Sequence, residues 1–382
     1  MDITKFKKLL MDDFLAASPY FGQDMDHCRY SIQHAKKPSE VQIYYCASPR
    51  QQYSIDLLGE KPPGLVLECQ QFPLPQSLAG FHGVSLGQCH KLDGSNAKVV
   101  KASNIKSFQA NVYGLEGCCV GNHFDNAQLA HLPSSLETLI LRGCVRLQMP
   151  TKFPANLAGL QSLELRGATW KAGNLSNCLP SGLTTLEVGL DCGVEDSLNY
   201  KFTSFSLSGL PPSLCRLVVD LGRGMALVGA SECPQLTSLT VEDGSDLPAV
   251  LPPRLTQLSV ATAVAFLPPG LPATLTHLTL ALARPGRKKE GEHSDPPFSL
   301  AALAASCPAL EQLSLHLSRE FRYGPDKDLP PSLPALEGDL AGPASLQEVR
   351  CNDADMLAAL RALPHGRVAF SALAAEEHDF DY

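Results

Sequence analysis

The chain is 382 residues long, with 44% hydrophobic and 18% charged residues and a formal charge of −8. That acidic balance disfavours binding to phosphate backbones, which needs a clustered basic surface, and the apolar content excludes global disorder. The length accommodates two ordinary cores or one long repeat array.

Residues 1–40 do not repeat. Ile3, Phe6, Leu9, Leu10 and Phe14 recur at helical spacing and predict an amphipathic helix from 3 to 17 that caps the open end of a stack. Asp2, Asp12 and Asp13 lie in and around its apolar stretch, where a secretory leader would exclude them, so export is not expected. Three strand-like runs follow, VQIYYC, YSIDLL and GLVLEC, parted by the turn compositions SPRQQ and GEKPP. They fit either truncated repeats or a small hairpin-bearing cap.

One phrase then takes over: leucine, two residues, leucine, one residue, leucine or valine, usually with a proline three or four positions ahead. The copies are Leu136/Leu139/Leu141, Leu160/Leu163/Leu165, Leu183/Leu186/Val188, Leu214/Leu217/Val219, Leu236/Leu239/Val241 and Leu255/Leu258/Val260, then Leu275/Leu278/Leu280 and Leu310/Leu313/Leu315. FHGVSLGQCHKL (Phe81 to Leu92) and LETLILRGCVRL (Leu136 to Leu147) fit a fuller template with a cysteine after the strand, and a degenerate copy, NVYGLEGC, ends at Cys118 between them. Self-similarity on this scale means stacked units, here one continuous solenoid. A single repeat cannot fold alone: burying a leucine is worth roughly 2 kcal/mol, while ordering each backbone residue costs roughly 1–2 kcal/mol.

These segments resemble leucine-rich repeats, including the cysteine-containing type of F-box adaptors and ribonuclease-inhibitor-like proteins. LPSSLETLIL, LPSGLTTLEV, LPPSLCRLVV, LPPRLTQLSV and LPATLTHLTL are similar to the LPxxLxxLxL repeats of bacterial effectors and of protist and algal proteins. The resemblance covers about 81–350. It departs from the pattern where later copies lack the cysteine or asparagine and where intervals run from 19 (Leu236 to Leu255) to 35 residues (Leu275 to Leu310). It implies an α/β leucine-rich-repeat solenoid, with a curved parallel β-sheet on the concave face and short helices or extended segments on the convex face. The expected organisation is a helical cap at 1–40, irregular or truncated repeats at 41–80, the solenoid at 81–350 and a closing cap with an acidic tail at 351–382.

Between repeats, FSLAALAASCPALEQL predicts a short helix ending before Pro308, whereas LPPGLPATL predicts an extended return. Arg284 to Pro297 (RPGRKKEGEHSDPP) predicts a surface loop whose Arg287, Lys288 and Lys289 are offset by Glu290, Glu292 and Asp295. Met356 to Leu363 predicts a helix, and RVAF a last strand. Ala261 to Ala283 is broken by Pro268, Pro269 and Pro272 and is a poor membrane span, so no membrane partner is expected. Thirteen scattered cysteines without CxxC pairs fit reduced thiols in a cytoplasmic or nuclear protein. The acceptor pattern at Asn174 has meaning only in a secreted chain.

Chemistry is sparse. Gly83-Val84-Ser85-Leu86-Gly87 has the letters of a hydrolase elbow, but Val84 and Leu86 are the buried pair of a repeat strand with Ser85 between them, not a strand-to-helix turn. Gly222 and Gly224 do not complete a phosphate loop. Cys118 and Cys119 are adjacent and diverge in extended chain, and His277 and His316 fall on outward strand positions, so neither a metal nor a cofactor is expected.

The outward positions beside each inward pair remain. They give Thr138, Ile140 and Arg142; Ser162, Glu164 and Arg166; Thr185 and Glu187; Arg216, Val218 and Asp220; and Ser238, Thr240 and Glu242, followed by Gln257, Ser259, His277, Thr279, Gln312 and Ser314. Stacking places Arg142 beside Arg166 and predicts a drifting acidic strip of Glu164, Glu187, Asp220 and Glu242. The expected function is a non-enzymatic scaffold or interaction module that docks one or more protein partners on this face, with no nucleic acid. The resemblance implies a second option, a substrate-recognition adaptor of a ubiquitin ligase or an effector, although residues 1–40 lack the pattern of an F-box.

Overall fold

Proline and leucine do different work in the repeated phrase. The carbonyl of Pro133 accepts from the amide of Leu136 at 3.3 Å and closes a β-turn, and the pairs Pro180–Leu183 (3.1 Å), Pro211–Leu214 (3.0 Å), Pro252–Leu255 (3.2 Å) and Pro272–Leu275 (3.1 Å) repeat it. Proline suits the place because it fixes its own φ and brings no N–H that would need a partner. The two residues after the first leucine then leave the turn for the ladder. In most rungs one carbonyl there accepts two amides of the next coil, as Glu137 O does from Gln161 N (2.8 Å) and Ser162 N (3.0 Å), and Thr256 O from Thr276 N (2.9 Å) and His277 N (3.0 Å). Parallel strands follow because every coil enters in the same sense.

The computed structural model describes residues 41–45, 65–69, 74, 77–86, 92, 94–111, 126–142, 152–166, 178–189, 204–206, 209–220, 225–229, 232–242, 245–247, 250–264, 270–282, 298–317, 336–337, 345–363 and 367–373. Its contacts divide the chain into two units, Met1–Asn199 and Tyr200–Tyr382. Each is a parallel ladder of the leucine-rich-repeat type.

In the first unit β1 (Val41–Tyr45), β2 (Leu65–Cys69), β3 (Gly83–Leu86), β4 (Ser107–Asn111), β5 (Thr138–Arg142), β6 (Ser162–Arg166) and β7 (Thr185–Gly189) pair in chain order, all parallel. The register aligns Leu67, Val84, Phe108, Leu139, Leu163 and Leu186 in one column, none more than 1% exposed. Hydroxyls and amides staple successive coils: Ser135 Oγ donates to Ile105 O at 2.8 Å, and Asn156 Nδ2 to Leu132 O at 2.6 Å.

In the second unit β9 (Arg216–Asp220), β11 (Ser238–Val241), β13 (Gln257–Val264), β14 (His277–Leu282), β16 (Gln312–Leu317), β18 (Glu348–Cys351) and β19 (Ala369–Ala372) form the ladder. Leu217, Leu239, Leu258, Leu278, Leu313 and Val349 make its inward column, each at most 2% exposed. The same staple recurs, with Thr274 Oγ1 donating to Leu255 O at 2.7 Å and Ser345 Oγ to Leu310 O at 2.8 Å. The helix Leu300–Ser306 is capped by Ser299, whose hydroxyl accepts from Ala302 N at 3.2 Å, and stops before Pro308. The helix Ala354–Ala362 is capped by Asp353, whose Oδ1 accepts from Asp355 N (3.1 Å) and Met356 N (3.0 Å).

Several expectations change. The rung between Leu86 and Leu139 is Ser107–Asn111, built on Ile105, Phe108 and Ala110, with the spacing kept but no leucine among its letters; NVYGLEGC lies outside the described residues after Asn111. The helix Gly94–Lys101 is new, its only buried side chains being Ala97 and Val100. Strands β1 and β2 are parallel partners, so the runs VQIYYC and GLVLEC contain rungs and not the two arms of a hairpin. The second unit also carries return-segment strands: β8 (Ser204–Ser206), β10 (Met225–Val228) and β12 (Ser245–Asp246) pair parallel in the order β12-β10-β8, and β15 (Phe298–Ser299) pairs with β17 (Leu336–Glu337). Cys233 and Cys307 occupy the turn position that proline holds elsewhere, each accepting from the leucine three residues on at 3.1 Å. The proposed helix at 3–17, the loop 284–297, Asn174, Gly222, Gly224, Cys89, Cys118, Cys119, Cys144 and the acidic tail lie outside the described residues.

Candidate functional site

Alternation along each rung puts three side chains outward, and the register stacks them into rows about 4.8 Å apart. In the first unit Thr138, Ser162 and Thr185 make the first row, Ile140, Glu164 and Glu187 the second, and Arg142, Arg166 and Gly189 the third. Arg142 and Arg166 are therefore register partners. What separates their charges is Glu164, one row back and only 10% exposed at its side chain. Arg142 reaches it through Nε, and through Nη2 to Oε2 at 3.0 Å. Arg166 Nε sits 3.6 Å from the same carboxylate and 2.6 Å from Glu187 Oε1.

Gly189 makes room for this arrangement. A Cβ there would meet Cγ of Arg166 at 3.1 Å, so the glycine lets the arginine stem cross its row. Charges thus alternate Arg142, Glu164, Arg166, Glu187, so that Glu164 and Glu187, register partners in the expected acidic strip, are each met by an arginine. Long guanidinium side chains reach diagonally between rows and neutralise Glu164 and Glu187. Asp220 and Glu242, for their part, lie one outward position further along their rungs than those glutamates do. A separate pair, Lys106 with Glu137 at 2.7 Å, lies at the ladder's entry with both side chains 44% exposed.

The second unit presents a different face. Its middle outward row runs Val218, Thr240, Ser259, Thr279, Ser314, Arg350 and Ser371, and the row beside it Arg216, Ser238, Gln257, His277, Gln312 and Glu348. Arg350 Nη2 donates to Glu348 Oε2 at 2.8 Å, and Ser371 Oγ to Glu348 Oε1 at 2.8 Å. These two hydrogen bonds hold the Glu348 carboxyl below its ordinary value. His277 Nδ1 lies 2.9 Å from Thr276 Oγ1.

Facing outward does not guarantee exposure. Ser85 and Ser314 (5% each), Glu164 (8%) and Val218 (3%) are buried although their strand neighbours occupy the inward columns. Side chains on adjacent rungs shade such a position, which a strand-by-strand reading cannot see. Ser85 stays inside rung β3, with none of the strand-to-helix geometry of a hydrolase elbow. Among the described residues no group of three or more His, Cys, Asp or Glu is placed to hold a metal ion, and no helix is long and apolar enough to cross a membrane.

Four described thiols, Cys178, Cys233, Cys307 and Cys351, are buried, while Cys215 is exposed, and none of the five is in a disulfide. Burial raises the pKa of all four, and pushes that of Cys307 up to about 11.

No protein-family model matches the chain, and no curated protein matches it. Among solved structures it is similar to YopM from Yersinia enterocolitica WA-314, at 17% identity and a TM-score of 0.28, over 82% of this chain and 59% of that one.

Proposed function

We propose that the chain is a non-enzymatic interaction module or scaffold that takes a protein partner on the outward faces of its rungs. The observation that carries this reading is the braced charge ladder of the first unit. Arg142, Glu164, Arg166 and Glu187 are held in fixed positions by one another, while Arg142, Arg166 and Glu187 keep 36%, 34% and 21% of their side chains exposed. A preorganised polar surface loses little side-chain entropy on docking and fixes the register of a partner of matching charge. Buried thiols outside any disulfide, as at Cys178, Cys233, Cys307 and Cys351, fit the cytoplasmic or nuclear setting that we propose with it.

Affinity capture with the full chain as bait tests this reading. Wild type is expected to retain a protein that Arg142→Glu and Glu187→Lys retain at least about tenfold less well, since truncating or reversing a docking charge costs about 2 kcal/mol or more. Equal capture by all three would remove the ladder from the interface.

A further inference from the structure

Ser314 occupies in the second unit the repeat position that Glu164 occupies in the first: each is the middle outward residue of its rung, between two fully buried leucines. At Glu164 the chain supplies its own carboxylate, which two guanidiniums share. At Ser314 it supplies only a hydroxyl, 5% exposed at the residue level and without a side-chain partner among the described residues. The same-face neighbours of Ser314 are Thr279 and Arg350 across the ladder and Gln312 and His316 along its own strand. Neither Gln312 nor Thr279 has a side-chain hydrogen bond to a described residue. Arg350 commits Nη2 to Glu348 and, among the described residues, leaves Nε and Nη1 uncommitted.

We propose that the outward face at Ser314 and Arg350 receives a carboxylate side chain, aspartate or glutamate, from a protein partner. The inference rests on the docking reading above and names the chemistry of one contact within it. The uncommitted groups on Ser314 and its register neighbours, a hydroxyl, an amide and a guanidinium edge, can all donate, and a planar guanidinium is matched to a carboxylate. Glu348 does not preclude a second anion, because Arg166 already touches two carboxylates on the face of the first unit. Glu348, itself fixed by Ser371, instead holds Arg350 in place for the incoming group.

The test uses the full chain and two blocked tripeptides, Ac-Ala-Glu-Ala-NH2 and its glutamine counterpart, observed by saturation-transfer NMR at low salt. The glutamate peptide is expected to respond at least about fivefold more strongly than the glutamine peptide, with the difference fading as salt screens it. Arg350→Met is expected to abolish the preference, and Ser314→Glu to abolish it by offering Arg350 a carboxylate from the chain itself. Thermal unfolding of both variants establishes that they are folded. Equal responses to the two peptides, or an undiminished preference in folded Arg350→Met, would overturn the proposal. Should capture of a partner depend on the outward faces while the peptides respond equally, only the carboxylate chemistry fails. Should the preference vanish in Arg350→Met while capture ignores every outward substitution, the docking reading fails instead.

Discussion

Arg166 and Gly189 are register partners on adjacent rungs, and the glycine's missing side chain is the space through which the arginine reaches Glu187. Gly189→Val is therefore expected to displace Arg166 and break its 2.6 Å contact with Glu187. A crystal structure or the Arg166 Nε–H resonance checks this, and an unmoved resonance counts against it. Because the pair is roughly one-third exposed at Arg166, the stability change should stay within about 1 kcal/mol.

Glu164 is the one ladder member that is buried, and it separates two arginines that face each other across adjacent strands. Glu164→Ala should destabilise the chain by about 2 kcal/mol, more than Glu187→Ala, because it leaves two like charges in register without their shared acceptor. Urea denaturation distinguishes the two. A larger loss in Glu187→Ala would mean that the ladder is held from its end and not its centre.

The described thiols should differ sharply in reactivity. Cys215 is exposed, whereas Cys178, Cys233, Cys307 and Cys351 are at most 4% exposed and burial raises their pKa. Iodoacetamide at neutral pH, read by peptide mass spectrometry, should label Cys215 first and the other four only on unfolding. For Cys307 the folded pKa of about 11 lies above the ordinary 9.0. Its contribution to stability is thus complete below the ordinary value and is lost as pH rises through about 11. Early labelling of Cys307 would contradict its burial.

Glu348 titrates in the opposite sense. Arg350 and Ser371 lower its pKa from the ordinary 4.5, so the clasp contributes fully above that pH and is lost as pH falls through the lower folded value. The carboxyl carbon shift of Glu348 should titrate below the ordinary range in wild type and return toward it in Arg350→Met. No change in the variant would mean that the guanidinium is not the cause.

How much of this was legible in the letters follows from what each position demands. Leu139, Leu163 and Leu186 declare themselves because an inward column tolerates only an apolar side chain, and the turn proline ahead of them marks where the coil begins. Phe108 and Ala110 satisfy the same demand with different letters, so their rung carries no leucine to announce it. The helix at 94–101 was missed because two buried side chains make no readable stripe. The outward side chains could be named, but not their partners. Which arginine reaches which glutamate depends on diagonal distances and on the gap at Gly189, and the burial of Ser314 depends on neighbours that the register brings from 35 residues away at Thr279 and 36 at Arg350.

The claim that partners dock on the outward rung faces is tested most directly by single-cysteine footprinting of the full chain with and without its captured partner. Thr138→Cys and Thr185→Cys lie on the outward face of the first unit, while Ala158→Cys is an exposed control in the return between β5 and β6. Alkylation of the thiols introduced at positions 138 and 185 should slow several-fold when the partner is bound, with the control unchanged. Protection of the control alone, or of none of the three, would contradict the account.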